Sequence, residues 1–233
     1  QHQRHGSLQE GHEEVKLVSC VAESDPNWEV FKAETIANAM HEIDQFKAGK
    51  LKLHTDFWKS ITSDPVIISL ITGTKIELEN EVFQEFIPEP YLFKEEKIHK
   101  IQTEIDKMLR KNVIEKVQPS TQLFISNIFT KDKADETLRI ILDLSDFNEN
   151  VVYRHFKMDC LGTAINLMFQ DCYMASIDWK DTYYSVPIEK NDRNYLVFEW
   201  QGQLFHYTCY PNGLGSARRN FTKIIKVLFS ELR

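Results

Sequence analysis

The chain has 233 residues, 42% of them hydrophobic and 27% charged, enough apolar material for one sizeable core or two small ones. Aromatic residues make up 12%, which excludes disorder as the overall state, and the longest apolar runs fall far short of the roughly 18–20 residues a membrane-crossing helix needs. The net charge of −7 argues against a nucleic-acid partner at first sight, yet Lys and Arg number 5 against 9 Asp and Glu over residues 1–50 and 13 against 14 over residues 126–233. The acidity is mostly N-terminal, and a basic groove further on is compatible with it.

Residues 1–26 are polar and aperiodic and read as a flexible lead-in without a secretory h-region. The first residue is Gln, not Met, so a natural start upstream is expected. A weak helical pattern over 27–47 breaks at Ala48-Gly49-Lys50. In residues 58–71, Ser63 or Asp64 followed by Pro65 makes a cap and first turn before an apolar run closed by Gly73. "TKIELENEVF" alternates like a strand, and the Pro-containing "FIPEPYLF" cannot lie inside a helix. Residues 95–117 form the clearest helix, with Ile98, Ile101, Ile105, Met108 and Leu109 on one stripe. "LFISNIFT" and "TLRIILDL" read as strands joined by a charged loop over 131–136. Residues 172–188 read as a strand with a turn, and 195–200 and 203–208 as a hairpin about Gln201-Gly202. An amphipathic helix carries Phe221, Ile224, Ile225, Leu228, Phe229 and Leu232. The fold class is α+β, without regular βαβ repetition.

Cys20, Cys160, Cys172 and Cys209 are scattered, and the eight histidines stand singly, so neither a zinc site nor a disulfide framework is suggested, and a reduced, intracellular setting is the default. Three constellations carry chemistry. In "MASIDWKDTYYSVPI", Asp178 ends an apolar strand; an ionised carboxylate there needs a metal or an Arg nearby, unless it serves only as a turn residue. "YTCYPNGLGSARRNF" is an irregular loop leading into a helix with Arg218, Arg219 and Lys223 in its first turns, which is either a phosphate site or a simple loop-to-helix junction. In "IFTKDKADETLRIILDLSDFN", Lys131 and Lys133 fall in the loop, and Arg139 sits on a strand between apolar neighbours. Its side chain therefore points to the opposite face, toward a phosphate or toward solvent.

These segments occur in an order that resembles the reverse transcriptase domain of retrotransposons, most closely the DIRS-like, tyrosine-recombinase group. "LRIILDLSDFNENV" is similar to R-x-x-x-D-x-x-x-x-N, and "MASIDWKDTYYSVPI" to D-L-K-D-A-Y-Y-S-V-P-I. "FEWQGQLFHYTCYPNGLGSARRNFTK" is similar to F-x-W-x-G-x-x-Y-x-F-T-x-L-P-F-G-L-S-S-A-P-R-x-F-T-K. The resemblance runs from about residue 48 to the end and is most specific from residue 126. It departs where Ala217 precedes Arg218 in place of Pro, where Tyr210-Pro211 replaces Leu-Pro, and where "KDKADET" replaces the usual fingers loop.

The resemblance implies a right-hand polymerase, with a flexible lead-in over 1–26, a helical pre-polymerase segment over 27–87, and fingers with the first half of the palm over 88–233. It implies that Asp178 is catalytic and binds Mg²⁺ (or Mn²⁺), together with the backbone carbonyl of Trp179. Lys131 and Arg139 would clamp the dNTP phosphates, Asp181 and Thr182 would offer backbone N–H groups, Tyr183 would lie under the sugar, and Asn212 would contact the nucleotide. The implied partners are an RNA or DNA template with primer and dNTP, in cytoplasm or nucleus and with no membrane. No Y-x-D-D string occurs in the 233 residues, so the expectation is a chain truncated before that motif, lacking the rest of the palm, the thumb and RNase H, and inactive alone. A non-enzymatic, element-derived module that binds nucleic acid or protein is the alternative.

Overall fold

The computed structural model describes residues 46–133, 137–157, 162, 165, 166, 168–170 and 181–230. The chain divides into one unit of Gln1–Asp44 with Asp159–Lys180 and another of Gln45–Met158 with Asp181–Arg233. In the first, the Met168 N–H donates to the Ile165 carbonyl at 3.1 Å. Of the helical pattern over 27–47 and the strand with a turn over 172–188, residues 27–45 and 172–180 lie outside the described residues; 46–47 are not helical, and 182–185 form a 3₁₀ turn. The second unit carries the elements that follow.

A 3₁₀ turn, η1 (Lys50–His54), leads into α1 (Thr55–Ile61) and α2 (Pro65–Gly73). Asp64 caps α2 as expected, its carboxylate accepting from the Val66 N–H at 2.8 Å with Pro65 in the first turn, because Pro lacks the donor that a helix start leaves unpaired anyway. The alternation in residues 74–83 survives in burial, with Thr74 and Ile76 inside and Lys75 and Glu77 outside. It does not make a strand. Only isolated bridges form, Thr74 parallel to Ile188 and Leu78 antiparallel to Val151, so period-two burial arises here without a ladder.

The long helix α3 (Glu95–Arg110) buries Ile101, Ile105 and Met108. It ends seven residues before the apolar spacing suggests. Asn112 takes φ 56, while the Val113 N–H bonds the Met108 carbonyl at 2.9 Å and the Asn112 N–H bonds Leu109 at 3.0 Å. That is a Schellman cap with Asn in the left-handed position. The apolar residues beyond it belong to β1 (Ile114–Lys116), which pairs antiparallel with β5 (Gln203–Tyr207), itself paired with β4 (Val197–Trp200). Gln201 at φ 51 and Gly202 at φ 77 make the two-residue turn of the expected hairpin, since both central positions need positive φ.

A second antiparallel pair joins β2 (Ile128–Asp132) to β3 (Leu138–Leu142). After it come α4 (Ser145–Asn148), the 3₁₀ turns η2 (Thr182–Ser185) and η3 (Lys190–Tyr195), and α5 (Ala217–Ser230). One core runs beneath these elements, with Ile71, Ile101, Ile105, Phe147, Phe198, Tyr207 and Tyr210 fully buried. The architecture is mixed helix and sheet. Among the described residues no helix is long and apolar enough to cross a membrane.

Candidate functional site

The β2–β3 hairpin supplies one side of the site. Strand periodicity sends Leu138, Ile140 and Leu142 inward and leaves Arg139 exposed, as its apolar neighbours require. Lys131 stands directly across the ladder from Arg139. It is therefore a strand residue and not a loop residue: pairing continues to the Lys133 N–H, which donates to the Thr137 carbonyl at 2.8 Å. Two like charges directly opposite each other destabilise a strand pair. Both side chains are exposed, and neither has a hydrogen-bond or ion-pair partner among the described residues. Lys97 of α3 meets Asp132 at 3.1 Å and ties the hairpin to the helix.

The turn η2 supplies the second side. Asp181, just before it, adopts φ 50, a left-handed conformation that a non-glycine residue keeps only when its surroundings hold it. The holding contact is Lys111 Nζ, 2.6 Å from Asp181 Oδ2, with both side chains about three-quarters buried at 23% and 25% exposure. The same ammonium lies 5.7 Å from the centre of the Phe46 ring. The Tyr184 N–H closes the turn on the Asp181 carbonyl at 2.9 Å. Tyr183 packs edge-on against Phe221 of α5, with ring centres 5.4 Å apart. Burial raises the Tyr184 phenol well above its usual range, with the Asp181 carboxylate adding to the effect and Arg139 opposing it. Tyr184 therefore stays a neutral hydroxyl across physiological pH. Asn212 Nδ2 lies 3.4 Å from that hydroxyl.

Residues 211–216 form the third side, and Asn148 locks them in place. Its Nδ2 donates to the Gly213 carbonyl at 2.9 Å, and its Oδ1 accepts from the Gly215 N–H at 2.8 Å. Gly213 has φ 114, and a Cβ placed on it would lie 2.5 Å from the Leu142 carbonyl oxygen, so the loop approaches the end of β3 as only glycine permits. Asp143 accepts from Ser145 Oγ at 2.7 Å and from Tyr91 Oη at 2.8 Å. The Ser145 hydroxyl is the main reason its carboxyl titrates below the ordinary range. Behind the loop, Asn220 Nδ2 donates to Tyr210 Oη at 3.1 Å, and burial pushes that phenol up to about 12.

No family model matches the chain. Among curated proteins, the Transposon Tf2-3 and Tf2-4 polyproteins of Schizosaccharomyces pombe are each 22% identical to it over 214 residues. That alignment spans 90% of this chain and 16% of each polyprotein. Among solved structures, native prototype foamy virus protease-reverse transcriptase superimposes with a TM-score of 0.57 at 20% identity, over 67% of this chain and 21% of that one. The foamy viral protease-reverse transcriptase in complex with dsDNA gives 0.60 at 21% identity, over 67% and 32%. The form in complex with RNA/DNA hybrid gives 0.55 at 22%, over 70% and 20%. The fold is reverse-transcriptase-like.

Within that reverse-transcriptase-like fold, Asp181, Thr182 and Tyr183 share one turn, Asn212 adjoins it through Tyr184, and Lys131 faces Arg139 across the hairpin. Asp178 and Trp179 lie outside the described residues. Among the described residues no three His, Cys, Asp or Glu side chains gather where a metal ion would be held. Two residues that fasten the candidate site escaped the sequence reading. Asn148 is the last residue of the R-x-x-x-D-x-x-x-x-N string, so spacing alone pointed to it without its task. Lys111 follows the last residue of α3 and pairs with a partner 70 positions away, for which no local signal exists.

Proposed function

We propose that this chain is part of an RNA-directed DNA polymerase of retrotransposon type, of the DIRS-like group, and supplies the fingers and first half of the palm over residues 88–233. Residues 1–26 are then a lead-in and 27–87 a pre-polymerase segment. The observation that carries this reading is the Lys131–Arg139 pair: two cations directly opposed on the hairpin, with no hydrogen-bond or ion-pair partner among the described residues. Such a pair is relieved by a phosphate bound between its members. Tyr183 would lie beneath the sugar, with the Asp181 and Thr182 backbone toward the triphosphate and Asn212 beside the incoming nucleotide. The Lys111 contact occupies the Asp181 carboxylate, which leaves Asp178 as the carboxylate of the D-x-x-D string suited to a hard cation. With the Trp179 carbonyl, Asp178 would hold Mg²⁺ or Mn²⁺. When bound there, such ions would supply Lewis-acid chemistry, favouring ionisation of an attacking hydroxyl and stabilising a pyrophosphate leaving group.

The partners that follow are an RNA or DNA template with its primer and a dNTP; nucleic acid is also what two of the matched foamy viral structures contain. No two aspartates are adjacent anywhere in the 233 residues. With Asp178 as the one metal-binding carboxylate that the resemblance assigns to these residues, a polypeptide of them would bind without synthesis. Anisotropy of a labelled primer-template in a salt series tests the binding. Log affinity should fall linearly with log salt. Loss of one charge-assisted contact costs about 1.5–3 kcal/mol, so Arg139→Ala or Lys131→Ala should weaken dNTP binding, read by titration of a fluorescent dNTP, roughly tenfold or more. Salt-independent binding, or wild-type affinity in both variants, contradicts the reading. Primer extension should give no product, and robust synthesis abolished by Asp178→Asn would overturn the inactivity.

A further inference from the structure

The segment between the Leu78 bridge and α3 is bound tightly to the fold yet turns its apolar residues outward. The Gln84 carboxamide meets both backbone groups of Ile125, its Nε2 donating to the carbonyl at 2.7 Å and its Oε1 accepting from the N–H at 2.8 Å. Asn127 Nδ2 donates to the Glu89 carbonyl at 2.7 Å, and Tyr91 Oη donates to Asp143 at 2.8 Å. Phe93 packs edge-on against Trp200, with ring centres 5.9 Å apart. Between these anchors, Phe83, Phe86, Ile87 and Leu92 are 76%, 83%, 65% and 99% exposed. Single exposed apolar residues are ordinary, but four within ten positions of a pinned strap are not.

The charge on the strap selects its partner. Residues 76–93 contain five Glu and neither Lys nor Arg. Glu81, Glu85 and Glu89 are exposed and have no ion-pair partner among the described residues. Phosphates are repelled by such a surface, and so is a second copy of a chain whose net charge is −7. An amphipathic protein segment with Lys or Arg beside its apolar face is complementary on both counts.

We propose that residues 81–92 are a preformed docking strap for a basic, amphipathic segment of a partner protein. The anchors already fix the backbone, so binding need not order it.

The probe is an 18-residue Leu/Lys amphipathic peptide, titrated onto the full chain beside a Leu/Glu peptide of the same pattern and a Ser/Lys peptide of the same charge. Saturable binding of the Leu/Lys peptide alone is expected. It should weaken at least tenfold in the F86S/I87S/L92S variant and, independently, in the E81K/E85K/E89K variant. All six positions are exposed, so both variants should unfold at the wild-type urea midpoint. Equal binding of the Leu/Glu or Ser/Lys peptide overturns the proposal, as does wild-type affinity in either variant. Self-association of the chain that the F86S/I87S/L92S variant abolishes would assign the strap to a second copy and would also overturn it.

Discussion

Gly213→Ala should destabilise the protein by about 2–5 kcal/mol, combining backbone strain with the displacement of a packed neighbour. The added Cβ would meet the Leu142 carbonyl oxygen at 2.5 Å, and φ 114 is a conformation that side-chain-bearing residues rarely adopt. Nothing flexible can yield, because the opposing atom belongs to the β3 backbone and Asn148 holds the loop from the other side. Relief requires displacing the loop that carries Asn212, so dNTP affinity should fall along with stability. Gly202→Ala is the control: it too has positive φ, 77, but no atom lies within 4 Å of its would-be Cβ, and it should cost only about 1–2 kcal/mol. Urea unfolding of the two variants separates strain from collision. Equal losses would mean that the loop does not approach β3 as described.

Phe147→Ala should cost about 3–5 kcal/mol, a large part of the ~5–15 kcal/mol by which a domain is ordinarily stable. Phe147 is 0% exposed and stacks on Tyr195 at 5.5 Å, with Phe124 at 5.3 Å on its other contact. It is also the buried anchor of α4, a helix of only four residues with no side-chain cap bond. Such a helix is held by packing and not by its own hydrogen bonds. Losing the ring should therefore loosen Asn148, the next residue, and through it the Gly213–Gly215 loop. Asn148→Ala should reproduce the loop's loss of nucleotide contact at a smaller stability cost. If Phe147→Ala melts like the wild type, the aromatic stack is not what seats α4.

The sequence was readable where one segment carries its own instruction. The spacing of Ile101, Ile105 and Met108 predicts α3 because a single face is buried, and Gln201-Gly202 predicts its hairpin because that turn tolerates little else. Asp64-Pro65 likewise marks the start of α2. What could not be read depended on partners far along the chain. Val113 and Ile114 keep a helical rhythm, and only the pairing of Ile114 with Tyr207 shows that they have crossed into a sheet; Asn in place of Gly disguised the cap. Lys131 looked like a loop residue because charge surrounds it, yet a strand on a hairpin's outer face is equally charged. The candidate site was legible as an ordered set of strings, with Arg139 outward and Asn212 set against Tyr184, the neighbour of Tyr183. Its fastening was not, since Lys111–Asp181 and Asn148–Gly213 each join residues more than 60 positions apart.

Amide chemical shifts of the isotope-labelled chain, titrated with dTTP and Mg²⁺, test the central claim most directly. A nucleotide held between the hairpin and η2 should move the resonances of Lys131, Arg139, Tyr183 and Asn212 together along one saturable curve. Those of α1 and α2 should stay still. A set of shifts that omits Arg139 and Tyr183 at millimolar nucleotide, with the rest of the spectrum well dispersed, would contradict the assignment of this site to nucleotide binding.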